Sequence, residues 1–355
     1  MTQTTLDGRE LEAFLGRAVG DMGASISALL IHLGDRLGLY RAMQGAGPLT
    51  SNEVAARTGT LERYVREWLN NQAAGGYVRY HADSGRYELT PEQAACLADE
   101  TSPTYVLGAF ESIASLWADE RQSFESFTSG RAIGWHEHDP RLFSGTERFF
   151  RPGYIANLVS AWLPALDGVV AKLERGARVA DVGCGHGAST LVMARAFPNS
   201  SFVGFDSHAA SVECARRQAA QAGLAERVRF EVASGKDFPA QSWDLVAYFD
   251  CLHDMGDPIG AARHARSTLA PDGTIMLVEP FAHDRTEQNL NPVGRVFYGF
   301  STLVCCPASR AQEVGLALGA QAGEARLRAI VTGAGFRTFR RAAETPFNLV
   351  FEARA

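Results

Sequence analysis

The 355-residue sequence lacks the features of a disulfide-stabilised, zinc-binding or membrane-inserted protein. Its six cysteines form no CxxC pair, so neither a disulfide framework nor a cysteine zinc site is indicated, and the thiols are expected to be reduced. No run of 18 uncharged apolar residues occurs, and the amino end has neither a basic start nor a long apolar stretch. These absences predict a cytoplasmic protein without a membrane partner.

Positive charge is also scarce. The chain has 34 Lys and Arg residues against 40 Asp and Glu residues, a formal net charge of −6. Nucleic acid is therefore not expected as a partner, because phosphate binding requires a basic surface. At about 150 residues per domain the length predicts two domains, and 46% hydrophobic residues can fill two cores.

The most informative segment is a short apolar strand that ends in three glycines, VADVGCGHG at residues 179–187. Glycine permits the positive φ angles of a tight turn and lets a ligand approach the backbone. The apolar stretch from Ala188 to Phe197 predicts a helix whose amino end faces this loop. A second strand ends at Asp206, 21 residues after Gly185, a separation typical of an acid that binds ribose hydroxyls in a βαβ unit.

Two cofactor classes fit this arrangement. Gly183, Gly185 and Ala188 satisfy the GxGxxA pattern of dinucleotide-binding proteins, so a nicotinamide-dependent oxidoreductase is one alternative. Asp181 favours S-adenosylmethionine, because an acid at the end of the strand can hold the ammonium group of its methionine part, directly or through a water. A dinucleotide has no comparable group, and we therefore expect S-adenosylmethionine as the cofactor.

The order of these segments resembles that of the class I S-adenosylmethionine-dependent methyltransferases over roughly the last 190 residues. Further strands are predicted at residues 227–232, 243–249 and 273–279, and residues 335–351 resemble the closing antiparallel hairpin of the family. The resemblance implies an α/β fold with a Rossmann-like, seven-stranded sheet. It also implies a set of cofactor-binding residues, in which Ser234 stands where many relatives have an acid: Asp181, Gly183, Cys184, Gly185, Asp206, Ser207, Ser234, Gly235, Lys236, Asp237, Phe249 and Asp250. Tyr154, just before the cofactor domain, is expected to close over the methionine end of the cofactor.

The segment Leu252-His253-Asp254-Met255 follows the fourth strand of this sheet and resembles the LHDW motif of plant and bacterial small-molecule O-methyltransferases. In that family the histidine is the general base, and Met255 replaces the usual tryptophan. Histidine suits the task because its ordinary pKa near ~6.5 lets it take up a proton at neutral pH. Glu279 matches a carboxylate that flanks the base. The resemblance thus implies that His253 and Glu279 are catalytic and that the acceptor is a hydroxyl of a small hydrophobic molecule; the alternative is that His253 only caps the next helix.

One cluster has the composition of a metal site, His136-Glu137-His138-Asp139. Its residues are adjacent instead of spaced to converge on one ion, so we interpret it as a solvated loop and predict no metal.

The first 100 residues predict a winged helix. Apolar residues recur at helical spacing from Ile26 to Tyr40 and predict one buried face on a long helix: Ile26, Leu29, Leu30, Leu33, Leu37 and Tyr40. Two short helices and a hairpin follow. Residues 1–100 are assigned to this mostly α domain, residues 101–165 to a helical bridge and lid, and residues 166–355 to the cofactor domain with a lid insertion at about 282–323.

A winged helix has two alternative functions. In the O-methyltransferases that the chain resembles it forms a homodimer, and elsewhere it binds DNA, which would make the chain a transcriptional regulator that senses S-adenosylmethionine. The third helix of the winged helix carries two arginines, Arg63 and Arg66, and two glutamates, Glu62 and Glu67. Because these charges balance, the helix lacks a basic face. The charge pattern therefore favours the homodimer.

Overall fold

The computed structural model describes residues 6–355, which form two compact units. The first unit contains the chain up to Ala114 together with Ser144–Pro152, and the second contains Ser115–Phe143 and Gly153–Ala355. The predicted assignment of residues 101–165 and of about 282–323 to an acceptor lid stays a prediction.

The first unit is a winged helix, as predicted. Two short strands pair as an antiparallel hairpin after the first four helices, and capping boxes at Thr50 and Thr90 start two of the helices. The elements are α1 (Gly8–Arg36), α2 (Leu39–Met43), α3 (Ser51–Thr58), α4 (Glu62–Ala74), β1 (Arg79–His81), β2 (Arg86–Glu88), α5 (Pro91–Leu97) and α6 (Leu107–Ala118), of which α6 continues into the second unit.

The predicted buried face of α1 is wrong for most of its length. Ile26 and Leu29 are 65% and 56% exposed, while Tyr40, beyond the helix, is buried as expected. From Gly8 to Ile26 every residue except the half-buried Ala18 is exposed. The exposed apolar side chains follow a 4-3-4-3-4 spacing, which is the pattern of a coiled-coil seam: Leu15, Val19, Met22, Ile26, Leu29 and Leu33.

Helix α1 also has the length and composition of a membrane span, with an 18-residue window of mean hydropathy 1.3. It contains no uncharged run of 18 residues, because Arg17 and Asp21 interrupt the apolar pattern. A narrow apolar stripe on one face is more typical of helix–helix packing than of a helix surrounded by lipid.

The second unit contains the predicted seven-stranded sheet, in the order β5-β4-β3-β6-β7-β9-β8. Strands β3 to β7 are parallel, and β9 is antiparallel to both β7 and β8, so the closing hairpin is confirmed. The strands are β3 (Arg178–Val182), β4 (Ser201–Asp206), β5 (Val228–Val232), β6 (Trp243–Phe249), β7 (Leu269–Pro280), β8 (Thr338–Glu344) and β9 (Asn348–Arg354).

The second unit also contains helices, and the central strands of its sheet are buried. They are α7 (Glu120–Ser129), α8 (Arg141–Asn157), α9 (Val169–Arg175), α10 (Ala188–Ala196), α11 (Ala209–Gln221), α12 (Pro258–Thr268), α13 (Pro292–Phe300), α14 (Cys306–Arg310) and α15 (Gly323–Gly333), of which α8 passes through both units. The order of strands reverses between β3 and β6, and in open parallel sheets ligands bind beyond the carboxyl ends of the strands at such a point. Asp181, Asp206, Phe249 and Glu279 all lie at or near these ends.

Candidate active site

The glycine loop after β3 has the left-handed backbone that its sequence predicts. Gly183, Gly185 and Gly187 have φ angles of 75°, 53° and 83°. A Cβ atom on Gly187 would lie 2.5 Å from the ring of Phe230, so this glycine is required for packing. A Cβ atom on Gly185 would meet nothing within 4 Å, so the middle of the loop borders open space in which a ligand has room.

Hydrogen bonds join this loop to the end of β4. The amides of Gly183 and Cys184 both donate to the Phe205 carbonyl, at 2.7 and 3.0 Å. The Gly185 amide donates to the Asp206 carboxylate at 2.8 Å, and the His208 amide donates to its other oxygen at 2.8 Å. The carboxylate predicted to bind ribose is therefore fixed beside the loop, and burial raises its pKa.

Asp181 lies fully buried below the loop. One carboxylate oxygen accepts hydrogen bonds from the hydroxyls of Ser189 and Thr190, both at 2.6 Å. The other oxygen is buried and has no hydrogen-bond partner among the described residues. Burial raises the pKa of Asp181 to about 6, although the two hydroxyls oppose the shift. Because buried polar atoms are normally paired, the free oxygen fits a site for an ammonium group or a bridging water.

Hydrogen bonds within the loop stabilise the segment that is predicted to border adenine. The amide and hydroxyl of Ser234 both donate to one oxygen of Asp237, at 2.6 and 2.9 Å. A Cβ atom on Gly235 would lie 2.9 Å from the sulfur of Met255, so the residue that replaces the family tryptophan packs directly on this loop. The Lys236 ammonium pairs with Glu313 at 2.6 Å and with Asp257 at 3.4 Å.

Ser207, the remaining residue predicted near the ribose, is exposed and follows Asp206 directly.

A buried hydrogen-bonded chain lies at the end of β6. The Tyr154 hydroxyl donates to Asp250 at 2.9 Å, and the Asn348 side chain donates to its other oxygen at 2.8 Å. The Tyr154 ring also lies 5.3 Å from the ring of Phe249. Asp250 has a φ angle of 52°, a left-handed conformation that few non-glycine residues adopt. Burial and the charge of Glu279 raise the pKa of Asp250 to about 8.

His253 and Glu279 are brought together as predicted. His253 Nδ1 donates to one oxygen of Glu279, and the Leu252 amide donates to the other at 2.9 Å. The position of Nε2 is thereby fixed. Burial opposes protonation of His253, but the carboxylates of Asp254 and Glu279 outweigh it and raise the pKa of the imidazole well above its ordinary value. The two carboxylates thus stabilise the imidazolium, and Nε2 can receive a proton once it has released its own.

The sequence did not predict two neighbours of His253. Asp254 Oδ1 lies 3.1 Å from Nε2. The Cys305 sulfur lies within 4.8 Å of a ring nitrogen of His253 and a carboxylate oxygen of Asp254, although Cys305 is about fifty residues away in the chain. Cys305 ends a π-helical turn, Ser301–Cys305, between α13 and α14. The vicinal pair Cys305-Cys306 was visible in the sequence, but nothing local indicates which thiol turns inward.

The interpretation of residues 136–139 as a solvated loop is wrong for His138. Its side chain is fully buried, and Nδ1 lies 2.8 Å from the Asp119 carboxylate. The Trp135 ring lies 6.4 Å from the ring of His138 and 5.4 Å from the ring of Phe143, so the segment is an ordered part of the second unit.

The predicted lack of a basic face on α4 agrees with the ion pairs observed there. Arg66 pairs with Glu62 at 2.8 Å and Arg63 with Glu67 at 2.5 Å, each within the helix. Both arginines are thus neutralised on the helix that would contact DNA in a DNA-binding winged helix.

Comparisons with known proteins agree with both units. A family model described as an Rv2258c-like winged HTH domain matches residues 25–99, and a methyltransferase domain model matches residues 173–306. The 27-O-demethylrifamycin SV methyltransferase of Amycolatopsis mediterranei is 35% identical over 108 residues, which cover 30% of this chain and 39% of that protein. The ubiquinone biosynthesis O-methyltransferase of Xanthomonas campestris pv. campestris is 34% identical over 116 residues, covering 32% and 47%. The chain thus spans less than half the length of these two curated relatives.

Solved structures share the fold along the whole chain. The mitomycin 7-O-methyltransferase MmcR has a TM-score of 0.67 at 21% identity and covers 98% of this chain and 100% of its own. Human N-acetylserotonin methyltransferase has a TM-score of 0.64 at 18% identity, with 99% of each chain covered. The chain thus contains a winged HTH domain and a methyltransferase domain, and it shares the fold of these solved methyltransferases.

Proposed function

We propose that the protein transfers the methyl group of S-adenosylmethionine to a hydroxyl of a hydrophobic small molecule. The observation that carries the proposal is the convergence at one edge of the sheet of a buried acid with a free oxygen, Asp181, a fixed ribose acid, Asp206, and the paired His253 and Glu279. The names of the relatives, which include O-methyltransferases, support the same chemistry.

The cofactor-binding roles follow from the contacts of each residue. Asp181 would hold the ammonium group with its free oxygen, and Asp206 would accept the ribose hydroxyls. The open space at Gly185 leaves room for the ligand, and the loop from Ser234 to Asp237, with Met255 beneath it, would border the adenine. The end of β6 at Phe249 and Asp250, with Tyr154, would line the pocket near the reacting atoms.

The proton is the part of the chemistry that the protein must handle. S-adenosylmethionine supplies an already activated methyl group, so positioning and the exclusion of water are expected to provide most of the rate enhancement. His253 would accept the hydroxyl proton at Nε2 after releasing its own proton to solvent, while Glu279 holds Nδ1 and stabilises the imidazolium. This chain needs no covalent intermediate for such a transfer.

The proposed quaternary arrangement is a homodimer formed through α1. The exposed apolar seam of this helix has no partner of its own chain among the described residues, and its heptad spacing suits a second copy of the same helix. The proposed location is the cytoplasm. A role as a DNA-binding regulator is disfavoured by the neutralised arginines of α4.

The cofactor proposal is tested by isothermal titration with S-adenosylhomocysteine. We expect micromolar binding to the wild-type chain and a loss of about 100-fold in the Asp206→Ala variant, since two charge-assisted hydrogen bonds contribute roughly 3 kcal/mol. NAD is the control ligand, and Glu226→Ala is a control variant that removes an acid at the opposite edge of the sheet. Binding of NAD without binding of S-adenosylhomocysteine would contradict the methyltransferase proposal and indicate an oxidoreductase.

The raised pKa of Asp181 predicts a pH dependence for the same titration. The pKa of Asp181 is about 6, so the carboxyl becomes neutral when the pH falls below that value. The neutral carboxyl loses its attraction for the ammonium group, and the affinity for the ligand therefore falls as the pH falls. We expect binding to be about tenfold weaker at pH 5 than at pH 8. The Asp181→Asn variant should bind weakly and lose most of this slope, with any remainder coming from Asp206. If the affinity of both proteins changed equally with pH, Asp181 would not be the group that binds the ammonium.

A further inference from the structure

Three potential metal ligands converge beside the proposed base. His253 and Asp254 lie in the short 3-10 turn Leu252–Asp254 after β6, and Cys305 ends the π-helical turn before α14. One imidazole nitrogen, one carboxylate oxygen and the thiol sulfur all lie within 4.8 Å of one another. Cys305 is about fifty residues away from the adjacent His253 and Asp254, and only the fold brings it to them.

The surroundings of this cluster suit a cation. His253 and Cys305 are 4% and 5% exposed. Asp254 Oδ1 is buried and makes no hydrogen bond of acceptable geometry among the described residues, although His253 Nε2 lies 3.1 Å away. Nε2 of His253 is thus at ion-pair distance from this oxygen, which faces the cluster, and a bound cation would replace the imidazole proton between them.

The imidazole is also oriented as a metal ligand would be. Glu279 accepts the hydrogen bond from Nδ1, and the amide of Leu252 fixes the other oxygen of Glu279. This arrangement leaves Nε2 directed at Asp254. A carboxylate on the second ring nitrogen is the common outer-shell partner of histidines that bind zinc.

We propose that His253, Asp254 and Cys305 form a binding site for Zn²⁺ that competes with the methyl acceptor. Thiolate, imidazole and carboxylate are all zinc ligands, and with bonds of about 2.0–2.3 Å a tetrahedral site requires donor atoms about 3.3–3.8 Å apart. Side-chain shifts of about 1 Å close the observed cluster to these distances. On binding, the Cys305 thiol and Nε2 of His253 each lose a proton to solvent, and the ion takes the lone pair that Nε2 gains, which leaves the fourth position for water.

Inhibition follows from the proposed function, whereas binding does not depend on it. A zinc ion on Nε2 removes the lone pair that would receive the acceptor proton. Methyl transfer should therefore fall as the site fills and recover when a chelator removes the ion. The cofactor site, which uses Asp181 and Asp206, should keep its affinity for S-adenosylhomocysteine.

Metal binding is tested first, without any activity assay. Co²⁺ added to the full-length protein should give the thiolate-to-cobalt charge-transfer absorption of a cysteine ligand, and Zn²⁺ should abolish it at one ion per chain. The Cys305→Ser variant should lose this absorption and bind Zn²⁺ at least about tenfold more weakly in competition with a chromophoric chelator. Asp254→Asn provides a second test if Cys305→Ser does not fold.

The matched control is Cys306→Ser. Cys306 is the next residue, half-buried, with its sulfur 3.7 Å from the Ser301 hydroxyl and outside the cluster, so this variant should bind both ions like the wild type. Absence of the cobalt band from the wild type, or equal loss in both cysteine variants, would overturn the site. Zinc binding without inhibition would overturn the competition with the acceptor, and a protein that binds zinc but not S-adenosylhomocysteine would contradict the proposed function alone.

Discussion

The His253→Ala variant is expected to lose about 10²- to 10⁴-fold in kcat for a hydroxyl acceptor of high pKa, the usual contribution of a general base. The affinity for S-adenosylhomocysteine should change little, because His253 is not part of the proposed cofactor site. The loss should be smaller for an acidic phenol, which is partly ionised without help. The measurement is formation of S-adenosylhomocysteine, under saturating cofactor, with acceptors found in a screen of hydrophobic phenols and alcohols.

Two variants separate the base from the group that positions it. Glu279→Gln keeps an acceptor for the Leu252 amide but removes the charge that stabilises the imidazolium, so kcat should fall by less than in His253→Ala. His264→Ala is the control, since this histidine on α12 bonds the Phe238 carbonyl at 2.8 Å and lies outside the site. A kcat of His253→Ala close to that of the wild type would contradict the role of His253 as the base and indicate that it only caps the next helix.

Aspartate at Ile26 is expected to convert the protein from a dimer to a monomer. Ile26 lies in the middle of the exposed seam of α1 and is 65% exposed, so the change leaves its own core intact. In a dimer each copy would bury one uncompensated carboxylate, at a cost of several kcal/mol, and dissociation should increase by at least about 1000-fold. Sedimentation should show twice 38.3 kDa for the wild type and one chain for Ile26→Asp.

The control for this experiment is Ala24→Asp. Ala24 is exposed on the same helix but on the side away from the seam, so this variant should remain a dimer. A monomeric wild type would contradict the interface. If that monomer also floated with lipid vesicles and Ile26→Asp did not, the apolar composition of α1 would indicate a membrane contact instead.

Local sequence was sufficient for the elements that have their own physical requirements. The three glycines of residues 183–187 predict a left-handed turn because other residues are strained there, and all three have positive φ angles. Strand β6 begins and ends where its apolar run does, at Trp243 and Phe249. Strand β7 begins four residues before its predicted start at Gly273, because Leu269 pairs with Trp243 at an irregular point in the ladder.

Exposure was the property that periodicity could not predict. A stripe of apolar residues on α1 shows that one face avoids water, but it does not show whether the covering surface belongs to the same chain. The reverse occurred at His138, where charged neighbours in the sequence suggested solvent and the side chain instead lies buried against Asp119. In both cases the exposure of the side chain depends on a distant segment.

The sequence by itself determined the order of strands, the glycine loop with its two acids, and the pairing of a histidine with a carboxylate on neighbouring strands. The first two follow from short-range geometry and from the rule that parallel strands end at one edge, whereas the pairing of His253 with Glu279 follows from the family resemblance. Tertiary structure alone decided that Asp181 keeps one unpaired oxygen, that Asn348 and Tyr154 meet at Asp250, and that Cys305 joins His253 and Asp254. The reason is physical: such contacts depend on how loops far apart in the chain pack, and no local pattern of residues encodes that packing.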